Sequence, residues 1–183
     1  MPDPKADRLQ RFDASRGPRL IGPRDGKTID LGPCGVRFMV WGEESGGGFS
    51  LVEHPIPARH LAAPLHRHAR EDEYSYVIEG RLGAQLGDDV VYAEVGDLVF
   101  KPRDQWHTFW NAGDTICRIL EIISPAGFEH FFDELAAGLI SPDEQQARYG
   151  SEADPASIDG LCRRHGLVYP LPGDAEPHRY QNA

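Results

Sequence analysis

The chain has 183 residues, 40% of them hydrophobic and 26% charged, and carries a formal net charge of -10 at pH 7. This length suits one domain with a sizeable core, and with no run of eighteen apolar residues a membrane span is not expected. The acidic balance argues against a partner gripped by its phosphates, because nucleic-acid affinity rests on Lys and Arg, and favours small molecules or proteins.

Residues 1–28 are rich in Pro, Gly, Asp and Arg and show little apolar periodicity, so they read as an N-terminal arm of the kind that lies on a partner subunit. The start, Met1-Pro2-Asp3-Pro4, lacks the apolar segment of a signal peptide, and a cytoplasmic location is expected. Gly35 to Trp41 alternates as a strand, Glu44 to Gly48 is a glycine-rich turn and Phe49 to Ile56 is a second strand, which predicts a hairpin.

From Glu73 the punctuation is regular. Strands are predicted over Glu73 to Glu79, Arg81 to Leu86, Val90 to Ala93, Leu98 to Lys101, Trp106 to Asn111 and Thr115 to Ile123, with turns at Gly80, Gly87-Asp88-Asp89, Gly96-Asp97 and Pro102 to Gln105. Many short strands at this spacing predict an antiparallel sandwich or barrel, here spanning residues 29–124.

The period changes at Pro125. Phe128, Phe131, Phe132, Leu135 and Ala136 fall at helical spacing and predict a helix packed on the barrel by one apolar stripe. Ser141-Pro142 and Asp154-Pro155 each set an N-cap residue before a proline and predict two further short helices, the second burying Ile158, Leu161 and Cys162 and stopping at Gly166. Residues 125–183 therefore read as a helical extension, with a loose tail from Gly173 to Ala183. Cys34, Cys117 and Cys162 are odd in number and far apart, as suits reduced, buried thiols.

The candidate chemistry lies between Pro64 and Asn111. On a strand, His66 and His68 stand about 6.6 Å apart on one face, close enough for two imidazoles to converge on one ion. His107 is predicted on another strand, sharing its face with Phe109. Glu73 opens a strand whose same-side residues, Ser75 and Val77, are small or apolar enough to line a cavity, while Glu71 and Asp72 are rival carboxylates. Imidazole and carboxylate together suit Fe, Mn, Co, Ni, Cu or Zn, and three nitrogens with one oxygen leave open positions for substrate. Tyr74, Tyr76, Trp106 and Trp110 are expected on the outer face or at a dimer contact, and His54 and His60 on the surface or at a strand edge, with a place behind the ligands or as pocket acids the alternative.

This stretch resembles the two-motif signature of the cupin superfamily. His66-x-His68, four residues, Glu73, six residues and Gly80 match the first motif; Gly96, Pro102, His107 and Asn111 fall in place for the second. Two turn glycines of the signature are replaced, by His60 and by Asp104. The resemblance implies an all-β jelly-roll barrel, a single bound divalent transition metal and His66, His68, Glu73 and His107 as its ligands. It demotes Glu71 and Asp72 to solvated groups or partners of Arg67 and Arg70.

The overall pattern, including the run from Ser124 to Glu129 into a helix, is similar to small bacterial members of quercetin-dioxygenase type. That likeness implies an oxidoreductase acting with dioxygen on a small enolic or phenolic, flavonol-like substrate. Glu73 would then be ligand and proton acceptor, and Ser75, Val77 and Phe109 would line the substrate pocket. The alternatives are a metal-dependent cyclase, isomerase or lyase that does not use dioxygen, and a small-molecule-binding protein without catalysis. Small members of the superfamily commonly form homodimers, which the arm is long enough to support.

Overall fold

The computed structural model describes residues 18–32, 34–139 and 157–171. Within them lie β1 (Thr28–Asp30), β2 (Gly35–Val40), β3 (Ser50–Ile56), β4 (Leu61–His68), β5 (Asp72–Glu79), β6 (Leu82–Leu86), β7 (Asp89–Ala93), β8 (Leu98–Lys101), β9 (His107–Asn111) and β10 (Cys117–Ser124). Helix α1 (Glu129–Leu139), helix α2 (Ser157–His165) and a two-residue strand, β11 (Leu167–Val168), complete the order.

The strands form two antiparallel sheets in a jelly roll. One runs β1-β2-β3-β10-β5-β8 and the other β11-β4-β9-β6-β7. Alternation explains the layering: in β10, Cys117, Ile119, Glu121 and Ile123 are buried while the residues between them are partly or fully exposed. Ile56, Val77, Leu82, Ala84, Phe109 and Ile119 fill the space between the sheets. A second cluster joins Val36, Phe38, Trp41, Val52 and Ile123 to Phe128 and Phe131 at α1 and to Leu161 and Cys162 on α2. The predicted hairpin is β2 paired with β3, and the three cysteines are free and buried as expected.

The helix at Pro125 forms with the predicted stripe inward. Its first residue, Glu129, is fully buried, and its carboxylate accepts from the backbone N–H groups of Gly42 at 2.8 Å and Gly127 at 2.7 Å. An acidic side chain at a helix N-terminus is favoured by the exposed amide dipoles, and here it also pins the helix to the turn after β2. Helix α2 buries Leu161 and Cys162, as the spacing predicts, and ends at Gly166, whose φ of 69° turns the chain into β11. β11 then pairs with β4, Leu167 opposite His68. The caps expected at Ser141-Pro142 and Asp154-Pro155, the tail from Gly173 and residues 1–17 of the arm lie outside the described residues. No described helix is long and apolar enough to cross a membrane.

Two turns position the site. Gly80 ends β5 at φ 75°, where a Cβ would stand 2.5 Å from the Ile116 carbonyl oxygen, so only glycine fits. Asp104 takes φ 62° in place of the turn glycine of the signature, and its backbone N–H donates to the His68 carbonyl at 2.7 Å. The turn before β9 is thereby tied to the end of β4.

Candidate metal centre

β4 and β9 pair with His66 opposite His107, so these side chains share one face of the smaller sheet with His68 two residues on. β5 belongs to the larger sheet and brings Glu73 across the interior, where it pairs with Lys101 of β8 and Ile123 of β10. One ligand atom from each of His66, His68, Glu73 and His107 lies within 4.8 Å of the others, and all four residues are buried. Donors bound about 2.1 Å from one ion stand about 3 to 4.2 Å apart, so a small closing movement suffices.

The donor chemistry fits a metal. His66 Nδ1 donates to the Pro64 carbonyl at 2.6 Å and His107 Nδ1 to the Gln105 carbonyl at 2.9 Å, which fixes both tautomers and leaves Nε2 as a lone-pair donor. His68 Nε2 and His107 Nε2 are buried without a hydrogen-bond partner, each 3.3 Å from a Glu73 oxygen. Burial pushes the His66 imidazole well below its ordinary pKa and the His68 imidazole down to about 4, holding both in the neutral form that binds metal.

Glu73 differs from expectation. Burial alone would raise its carboxyl, but His68, Lys101 and His107 outweigh that and hold it well below the usual carboxylate range. A proton acceptor needs a raised carboxyl; here the Lys101 ammonium stands 2.9 Å from Oε2. Glu73 is therefore a ready ligand and a weak base. Lys101 Nζ also lies 3.1 Å from Glu121 Oε1, and Ser75 Oγ donates to Glu121 Oε2 at 2.7 Å. Burial would discharge Lys101, yet Glu121 and Glu73 raise its pKa. Burial, only partly offset by Lys101, raises Glu121 to about 7.

A cavity of about 160 Å³ opens beside the cluster, lined in part by His66, Glu73, Phe109, His54 and Glu121. Phe109 is part of its wall. Ser75 and Val77 are fully buried on the inner face of β5, Ser75 supporting Glu121 from behind and Val77 in the core between the sheets. The outer wall is the stripe of α1, Phe128, Phe131, Phe132 and Leu135, together with Leu167 and Tyr169.

Other side chains depart from their expected places. His54, expected at the surface, is 2% exposed and lines the cavity, because it falls in phase with Val52 and Ile56 on the inner face of β3. His60 is partnered with the Ala58 carbonyl at the exposed start of β4. Glu71 is buried rather than solvated, 3.9 Å from His68 Nδ1, and burial raises its carboxyl to about 7. Asp72 grips Arg103, with contacts of 2.8 Å, instead of Arg67 or Arg70. Tyr76 is on the outer face, and so is Trp110, which covers Gly83 beside the exposed Tyr92; Trp106 lies under the Arg67 guanidinium.

Residues 54–123 match the Cupin domain model. Solved structures share the fold at low identity. KdgF from Halomonas is 14% identical, with a TM-score of 0.55 over 62% of this chain and 99% of its own. An RmlC-like cupin from Shewanella frigidimarina is 17% identical, with a TM-score of 0.53 over 62% and 96%. A predicted oxalate decarboxylase from Thermotoga maritima is 20% identical, with a TM-score of 0.50 over 54% and 90%. No curated protein matches the chain in sequence. The domain match and the shared fold support the cupin superfamily.

Proposed function

We propose that this cupin-fold protein is a metal-dependent oxidoreductase of dioxygenase type acting on a small enolic or phenolic, flavonol-like substrate. The observation that supports it is a buried cluster of three imidazoles and one carboxylate opening onto an aromatic cavity. His66, His68, Glu73 and His107 would hold one divalent ion. Such an ion supplies Lewis acidity and a template for the substrate oxygen.

The remaining work falls to the chain's own groups. Phe109 and the α1 phenylalanines enclose a flat ring and exclude water. Glu73, held ionised beside Lys101, anchors the centre. Glu121, raised to about 7, is the group in the wall matched to take the substrate's proton, at Oε1, near neutral pH.

The test is reconstitution of metal-free protein with Fe, Mn, Co, Ni, Cu or Zn, followed by oxygen-electrode assays with quercetin and simpler enols. Metal-dependent oxygen uptake is expected. Turnover of the enol without oxygen supports a cyclase, isomerase or lyase instead, and metal-dependent binding with no turnover supports a binding protein. Failure to take up any metal sinks all but a metal-free binder. A homodimer resting on residues 1–28 is part of the same reading; sedimentation of the chain with and without them checks it.

A further inference from the structure

The cavity wall is mostly carbon. Apart from the metal end at His66 and Glu73, its titratable side chains are His54, Glu121 and the free thiol of Cys34, with Tyr169 at the outer wall. Among the described residues no arginine or lysine lines it. The nearby cation, Lys101, is fully buried, lies 4.4 Å from the centre of the Phe109 ring and is held by Glu73 and Glu121 on either side. A second anionic group on a ligand would leave water to face two carboxylates and phenyl rings with no partner of opposite charge. A buried charge without a partner is strongly disfavoured.

His54 is the unusual polar group. Its Nδ1 lies 3.0 Å from the Gly35 carbonyl oxygen, which can only accept, so Nδ1 carries the ring proton. Burial drives its pKa down to about 4, and the ring is neutral. Nε2 is then a bare lone pair with no partner among the described residues, on a side chain 2% exposed that lines the cavity. Phe132 meets the ring edge-on at 5.2 Å and Phe109 at 6.4 Å, so its plane is fixed. An acceptor on this ring, facing a largely apolar cavity, gains from an O–H or N–H supplied by a ligand.

We infer that the cavity selects ligands that carry no charge beyond the oxygen meeting the metal and that donate a hydrogen bond to His54 Nε2. This rests on the metal-centre reading above and narrows its substrate to a neutral hydroxylated ring. His54 is thus a specificity-determining residue, distinct from the four ligands.

Three 4-pyrones with the same 5-hydroxy-4-keto head, differing only at carbon 2, test it by titration calorimetry on the zinc-loaded full chain. The hydroxymethyl compound is expected to bind about tenfold tighter than the methyl compound, as sites built around a hydroxyl discriminate against its loss. The carboxylate compound is expected to bind at least about tenfold weaker than the methyl one. In His54→Phe the hydroxymethyl advantage over the methyl compound vanishes; in His54→Gln, whose amide oxygen still accepts, part of it returns. The inference is overturned if the carboxylate binds as well as the methyl compound. It is equally overturned if hydroxymethyl and methyl are equal in the unaltered chain, or if the advantage survives His54→Phe. Absence of zinc uptake, or binding of all three pyrones without zinc, overturns the metal-centre reading itself.

Discussion

Lys101 is the residue on which the interior charge balance turns. It joins two buried carboxylates, and breaking such a pair leaves uncompensated charge worth about 3–5 kcal/mol. Lys101→Met should therefore lower the unfolding free energy measured by urea titration by that amount, with Glu73 and Glu121 left face to face. His54 sets a pH effect of definite sign. Its pKa is lowered from 6.5 to about 4, so as pH falls the unfolded chain takes the proton first, and stability is lost between about 6.5 and 4. The loss is about 3 kcal/mol. Glu121, raised from 4.5 to about 7, acts oppositely, because the folded chain takes its proton first. The difference between the unaltered chain and His54→Phe isolates the histidine: unfolding midpoints measured from pH 7 to 4 should fall less steeply in the variant. The four candidate ligands were legible in the sequence because their types and spacing to Gly80 and Gly96 are local. Lys101 and Glu121 were not, since a charge in an alternating strand reads as outward unless its cross-strand partner is known.

The elements show the same division between local and distant signals. The strands from β2 to β10 follow alternation and turn chemistry and were largely readable. β1 and β11 are three and two residues long, too short for a period, and exist because a neighbouring strand offers free backbone groups. The turn at Asp104 carries a testable cost. A non-glycine residue at φ 62° is strained by about 1 kcal/mol, somewhat less for Asp than for bulkier residues. Asp104→Gly should raise the melting temperature by an amount matching up to about 1 kcal/mol, with metal content unchanged. A loss of stability would mean that the Asp104 carboxylate, 3.9 Å from Arg67, contributes more than the backbone strain costs.

For the whole molecule, an ion tying β4 and β9 of one sheet to β5 of the other should stabilise the folded state alone. At a free concentration one hundred times its dissociation constant, a ligand adds about 2.7 kcal/mol. Thermal unfolding should shift upward with zinc, return with chelator and barely respond in His107→Ala. The two-sheet architecture was predictable from strand number, but the cavity's outer wall was not: a helix stripe announces that it is buried, never what it is buried against. That wall has a historical consequence. The candidate ligands lie between residues 66 and 107, while Phe128, Phe131, Phe132, Leu135, Leu167 and Tyr169 come from chain beyond the residues that match the domain family. The candidate ligands, with His54 and Phe109, and the aromatic outer wall are thus written in separate passages of the polypeptide. Mutation can redraft the second without disturbing the first, so descendants of one ancestor could change diet while keeping their chemistry.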